Sequence, residues 1–239
     1  MQGQRPGGDE KPVGRRVVLA MFGLGAAGTL FGAPLSRGIA NSISSGGGGG
    51  GGLAALVPGG GSFRYYTVTS GFPIEPAGYR LKVSGLVHKE LTLSLADLKA
   101  MPRTKLVKPF QCVTGWRVPD VSWAGIRLSD LLDAAGVAGG AKALRFKSFD
   151  GIYTESLTLQ QARLPDVLVA YEMYHAPVTR EHGGPVRLYV APMYGYKSIK
   201  WLSEISVVDR VEPGYWENYG YDVDAWVGRS NGRSDAPIS

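Results

Sequence analysis

The sequence predicts an α+β fold of several small mixed sheets and short helices, carried by residues 63–228. Three observations support this. Short runs of β-branched and aromatic residues recur from Phe63 onward. Short amphipathic helical patterns separate them, without the long spacing that a crossover βαβ unit requires. No internal repeat is visible. The preceding tract, Ser44 to Ser62, contains seven consecutive glycines, Gly46 to Gly52. Glycine loses more freedom on ordering than any other residue and has no side chain to bury, so 41–62 reads as a flexible linker.

The folded part begins with Phe63 to Thr69, which alternates as a strand and is broken by Gly71 and Pro73. Tyr79 to Leu86 alternates again, and Leu91 to Leu93 is a short strand. Ser94 is placed to cap a helix that runs through Lys99 and stops at Pro102. Lys105 to Cys112 reads as a strand that delivers the cysteine to its end. Ser129 is expected to cap a second helix, Asp130 to Ala135, closed by Gly136. Further strands are expected at Ala143 to Phe149, Tyr153 to Leu157, Val167 to Tyr171, Val186 to Val190 and Ile205 to Val211. Residues 229–239 read as a disordered tail.

The amino terminus has the order of an export signal. Arg15-Arg16 precedes an apolar, glycine-softened stretch, followed by Pro34 and Arg37. The arginine pair resembles a twin-arginine signal, so residues 1–40 are expected to direct the chain out of the cytoplasm or to anchor it in the membrane. Gly23-x-Gly25-x-x-Gly28 imitates a dinucleotide fingerprint, but the acid that such a site needs about 20 residues on is missing. The formal charge of +6 comes partly from the signal and linker, since Asp and Glu are absent between Glu10 and Glu75, and no nucleic-acid partner is expected. Metalloprotease, Walker and nucleophile-elbow motifs are absent.

One cysteine, Cys112, rules out an intramolecular disulfide and a CxxC metal site. It sits in Phe110-Gln111-Cys112-Val113-Thr114-Gly115-Trp116-Arg117. Two further motifs follow: His182-Gly183-Gly184-Pro185-Val186-Arg187-Leu188 and Tyr194-Gly195-Tyr196-Lys197-Ser198-Ile199-Lys200-Trp201. With Ala170-Tyr171-Glu172-Met173 and Gly214-Tyr215-Trp216, they resemble in order the molybdopterin-binding domain of the sulfite oxidase family. That family includes the catalytic subunit of the periplasmic methionine-sulfoxide reductase. The likeness extends from about Tyr65 to Tyr221.

The resemblance implies a sulfite-oxidase-type fold and a molybdenum–molybdopterin cofactor whose protein ligand is Cys112. It implies cofactor contacts from Tyr66, Thr67, Ser148, His182, Arg187, Ser198, Ile199 and Lys200, with Lys197 as a neighbouring cation. Arg117 matches a substrate-pocket arginine, and Tyr219 or Tyr221 an active-site tyrosine. Thr69 and Gly71 stand where sulfite oxidases carry an arginine and a histidine, so part of that anion pocket is missing. The expected activity is two-electron oxygen-atom transfer on a small oxyanion or sulfoxide, with catalytic roles for Cys112, Arg117 and Tyr219. The alternative is a methionine-sulfoxide-reductase-like subunit served by a haem-containing membrane or soluble electron partner. A binding module in which the cysteine only packs is the non-enzymatic reading.

Overall fold

The computed structural model describes residues 63–69 and 71–229. The expected signal, linker and carboxyl-terminal tail from 230 onward lie outside them. Contacts divide the chain into a main unit, 51–218 with 222–239, and a second grouping of 1–50 with 219–221. The elements below belong to the main unit, except that Tyr219 ends the last turn. Among the described residues, no helix is long and apolar enough to cross a membrane.

Two five-stranded sheets form the scaffold. The first takes β1 (Leu81–Gly85), β2 (Leu91–Leu93), β5 (Ala143–Ser148), β6 (Thr154–Thr158) and β10 (Leu202–Val208), in the order β2-β1-β10-β5-β6. Within it β1 and β10 run parallel and the other pairs antiparallel. The second takes β3 (Thr104–Gln111), β4 (Arg117–Arg127), β7 (Val167–Met173), β8 (Ala176–Pro177) and β9 (Arg187–Val190), with β3-β4-β7-β8 in order and β9 also on β7. Helices α1 (Leu95–Ala100), α2 (Leu128–Ala135) and α3 (Leu159–Ala162) are short. The expected α+β fold is the one observed.

Ser94 caps α1 as expected, in a reciprocal capping box with Asp97. At α2 the expectation fails. The helix begins at Leu128 behind Arg127, with no side-chain cap, and the Ser129 hydroxyl instead reaches Asp130 at 3.3 Å. Four fully buried residues on one face, Leu128, Leu131, Leu132 and Ala135, hold it by burial.

Two strand expectations also change. Phe63 to Thr69 is not in a ladder; its alternation instead docks rings into an aromatic cluster. The longest strand, β4, was not anticipated, and it contains Pro119, Asp120 and Gly125, residue types that strands disfavour. Its register shows how they are absorbed. Val118 pairs with Phe110 and Val121 with Lys108, so Pro119 and Asp120 oppose Pro109 at a bulge. Residues without an N–H thus face each other where the ladder is already interrupted.

Strand β7 is buried on both faces and feeds two cores in alternation. Val167, Val169 and Tyr171 join the large aliphatic core that includes α2 and residues of the first sheet. Leu168, Ala170 and Met173 join a smaller aromatic core with Phe63, Phe110, Trp116, Trp123 and Tyr189. Cys112 packs against the second.

Candidate functional site

Cys112 lies one residue beyond β3 and opens the turn into β4. Its N–H donates to Trp116 O at 2.9 Å, and Gly115 N–H donates back to Cys112 O at 3.1 Å. The Thr114 hydroxyl donates to Cys112 Sγ at 3.2 Å. Burial nevertheless pushes the thiol above its ordinary range, with Thr114 and Arg64 offsetting only part of this. A nucleophilic cysteine would be shifted the other way. A thiol that stays protonated until a metal displaces the proton fits a ligand role.

An aromatic deck connects this turn to the second motif. Phe63 contacts Phe110 at 4.7 Å, Trp116 at 5.5 Å and the His182 ring at 4.9 Å between centroids. Tyr65 lies 4.7 Å from His182, and Tyr66 stacks on Trp116 at 6.1 Å.

Beside the deck stand three basic side chains with no carboxylate partner among the described residues. Arg187, at the start of β9, is 2% exposed and donates only to carbonyls: His182 O at 2.6 Å, Ser198 O at 3.0 Å and Leu188 O at 3.4 Å. Its guanidinium also lies over Phe110 and Trp123, 5.5 and 5.4 Å from their ring centres. Lys200 donates to Glu181 O at 3.2 Å and to Tyr66 O, with its ammonium 4.6 Å from the Trp201 ring centre. His182 Nδ1 is buried without a hydrogen-bond partner among the described residues.

Burial lowers all three basic groups, and like charge lowers two of them further. Arg187 falls to about 10, chiefly through burial. Lys200 falls to about 7 through burial and then Arg187, although part of its stem stays exposed. His182 falls to about 4 through burial, then Arg187 and Lys200. Burying an uncompensated cation costs several kcal/mol (order of magnitude). Arg187 and Lys200 together, with a His182 ring that burial and their charge keep neutral despite the counter-pull of Glu181, make sense where an anion completes the site, and the phosphate of a pyranopterin supplies one.

Glycine makes the approach of these segments feasible at two points. At Gly183, where φ is +102°, a Cβ would stand 2.6 Å from Lys200 Cβ and Cγ. At Gly195 it would stand 2.3 Å from Phe110 Cζ. The glycines of the second and third motifs are therefore spatial requirements as well as turn formers.

The other expected site residues divide. Ser198 and Ile199 join the cationic group through the backbone: Ser198 O takes Arg187, and Ile199 O accepts from Leu188 N at 2.9 Å. The Ser198 hydroxyl accepts from Val190 N at 3.0 Å. The Tyr66 carbonyl takes Lys200, and the Thr67 hydroxyl pairs with that of Thr69 at 2.7 Å. Ser148 ends β5 opposite Leu202, its hydroxyl turned to Asp150 and to Tyr153 O at 3.2 Å. Arg117 pairs in register with Gln111 and is exposed. Tyr219 ends the 3-10 turn Glu217–Tyr219 and is 50% exposed.

Lys197 departs from its expected role as a cofactor-side cation. It is fully buried in the 3-10 turn Gly195–Lys197, with Nζ 2.5 Å from Glu155 Oε2 and 2.5 Å from Glu217 Oε1. Neither partner carboxylate was anticipated, since sequence separation hides the pairing. Tyr153 was missed too. Burial first, then Glu155 and Glu217, and last Cys112 raise its phenol well above the usual range.

Comparisons with known proteins identify the family. The family model described as the oxidoreductase molybdopterin binding domain matches residues 69–216. The chain is 35% identical over 171 residues to the uncharacterized oxidoreductase YuiH of Bacillus subtilis, covering 66% of this chain and 86% of that protein. It is 30% identical to the protein-methionine-sulfoxide reductase catalytic subunit MsrP of Campylobacter jejuni, across 59% of this chain and 52% of that one. It is 29% identical to sulfite oxidase of Arabidopsis thaliana, across 61% and 46%. The chain thus spans about half the length of the latter two relatives. The crystal structure of the sulfane dehydrogenase SoxCD from Paracoccus pantotrophus superimposes with a TM-score of 0.53 at 25% identity, covering 59% of this chain and 41% of that one.

A half-buried, protonated thiol joined by one aromatic deck to a buried basic group suits a metal and an anionic chelate. The family match supplies both, and the chain belongs to the oxidoreductase molybdopterin binding domain family as a molybdenum–molybdopterin-dependent oxidoreductase.

Proposed function

We propose that this protein catalyses two-electron oxygen-atom transfer on a small oxyanion or sulfoxide, outside the cytoplasm. One observation supports it best: Cys112 and the buried basic group of His182, Arg187 and Lys200, which no ion pair among the described residues neutralises, are joined through a single aromatic deck. The bound molybdenum–pterin supplies the redox chemistry. Cys112 would hold the metal as a thiolate. Arg187 fixes the backbone of both later motifs, while Lys200 and His182 face the cofactor's phosphate with charge. Arg117 orients the substrate oxygen by a hydrogen bond.

Electrons reach or leave the site through a haem-containing partner, in the membrane or soluble. The relative named as a catalytic subunit supports a partner of this kind. The arginine pair near the amino terminus supports export, with either cleavage or membrane attachment.

The test is elemental analysis of protein made in a host that synthesises the cofactor. Wild type is expected to carry stoichiometric molybdenum, and Cys112→Ser to lose it with the fold intact by circular dichroism. Molybdenum retained in the variant would remove Cys112 from its role. Assays with sulfite and an electron acceptor, and with methionine sulfoxide and a reduced dye, fix the direction. The reductive reading would be favoured by turnover only in the second.

A further inference from the structure

Beside the turn that carries Cys112 lies a cavity of about 430 Å³, walled by Gln111, Arg117, Pro192, Trp226, Val227 and Arg229 among others. Gln111 is 5% exposed, yet among the described residues neither its amide nitrogen nor its oxygen has a hydrogen-bond partner. Leaving a buried amide unsatisfied is unfavourable, so its place on this wall points to a ligand that satisfies it. Arg117 and Arg229 have no ion-pair partner among the described residues. The rest of the wall is apolar, with the Trp226 indole its largest surface.

We infer that this cavity anchors the substrate of the proposed reaction, and that the substrate is an organic anion with a carboxylate on an apolar body. The proposal rests on the oxygen-atom-transfer reading and narrows it. Volume and chemistry argue against a bare oxyanion. A cavity of about 430 Å³ is in the range of sites for small organic ligands, ~300–1,000 Å³. A four- or five-atom anion such as sulfite (an approximate heavy-atom count) would leave the indole, valine and proline surfaces wet. Two guanidinium forks match a carboxylate in its plane, and the Gln111 amide adds a donor. Gln111 is the chain neighbour of Cys112 and pairs in register with Arg117, so a molecule gripped here lies against the turn that holds the metal ligand. Arg229, Trp226 and Gln111 therefore join Arg117 as specificity-determining residues.

The experiment uses molybdenum-loaded protein with N-acetylmethionine sulfoxide and its methyl ester, which differ in the one charge. Binding is measured by calorimetry and turnover with a reduced dye. The acid is expected to bind ~10-fold or more tightly than the ester, in line with a charge-assisted contact. Arg229→Gln is expected to bring that ratio close to one while molybdenum content is unchanged, and Gln111→Leu to weaken the acid alone. Equal binding of acid and ester, or a ratio that survives Arg229→Gln, would overturn the assignment. Charge-selective binding without turnover of sulfoxide or sulfite by fully loaded protein would leave the cavity assignment standing and remove the oxygen-atom-transfer reading.

Discussion

Lys200 illustrates how a residue's setting outweighs its type. Lysine is usually a solvated surface charge, and here its ammonium is held among backbone carbonyls and aromatic rings next to Arg187. In the folded protein it loses its proton at about 7, against 10.5 ordinarily. Between those values the unfolded chain binds a proton that the folded one does not, so cofactor-free protein should gain stability as pH rises through that window. His182, lowered to about 4 from 6.5, acts in the same sense: stability is lost as pH falls from 6.5 towards 4. Urea melts of the apoprotein across pH are expected to show both slopes. Lys200→Met should remove the alkaline one. Loading with the phosphate-bearing cofactor should flatten both, because an anion restores the charged forms. Identical pH profiles for apoprotein and holoprotein would contradict a cationic phosphate site.

Among the elements, the contact between the third motif's 3-10 turn and the end of β3 is the most constrained. Gly195→Ala would place a methyl 2.3 Å from Phe110 Cζ and 2.5 Å from Cε1. The ring is clamped by Phe63, Trp116 and Arg187, so it has little room to yield. Overpacking of this kind costs roughly 1–3 kcal/mol. A lower melting temperature together with lower molybdenum occupancy is the expected result. Gly139→Ala, which meets nothing within 4 Å, should change neither. Equal behaviour of the two variants would show that the deck is not held as tightly as described.

At the scale of the molecule, a buried charge triad ties distant segments together. Lys197 joins Glu155 in β6 of the first sheet to Glu217, which follows β10. Burial holds Glu155 well above the usual carboxylate range despite the attraction of Lys197. Such a cluster is a weak source of net stability, but removing one member leaves the others uncompensated. Lys197→Met is therefore expected to cost about 3–5 kcal/mol, read from equilibrium unfolding. Adding Glu155→Gln and Glu217→Gln to it should recover part of the loss. A single variant as stable as wild type would mean that water reaches the carboxylates.

Local chemistry made much of this protein legible in advance. The α+β class, the capping of α1 by Ser94 and most strands follow from alternation and turn residues, which act over a few positions. The Cys112, His182 and Arg187 motifs were readable because each carries its own glycine, proline or aromatic punctuation. What tertiary structure decided is what depends on partners far away in the chain. Strand β4 runs on through Pro119 because Pro109 of β3 faces it at a bulge in the ladder. Lys197 is a structural cation because Glu155 and Glu217 reach it from 42 and 20 residues away in sequence. Gln111 and Arg229 share a cavity only because the chain returns to the end of β3. Burial and charge pairing are properties of what a residue meets in space, and spacing along the sequence fixes that only for near neighbours.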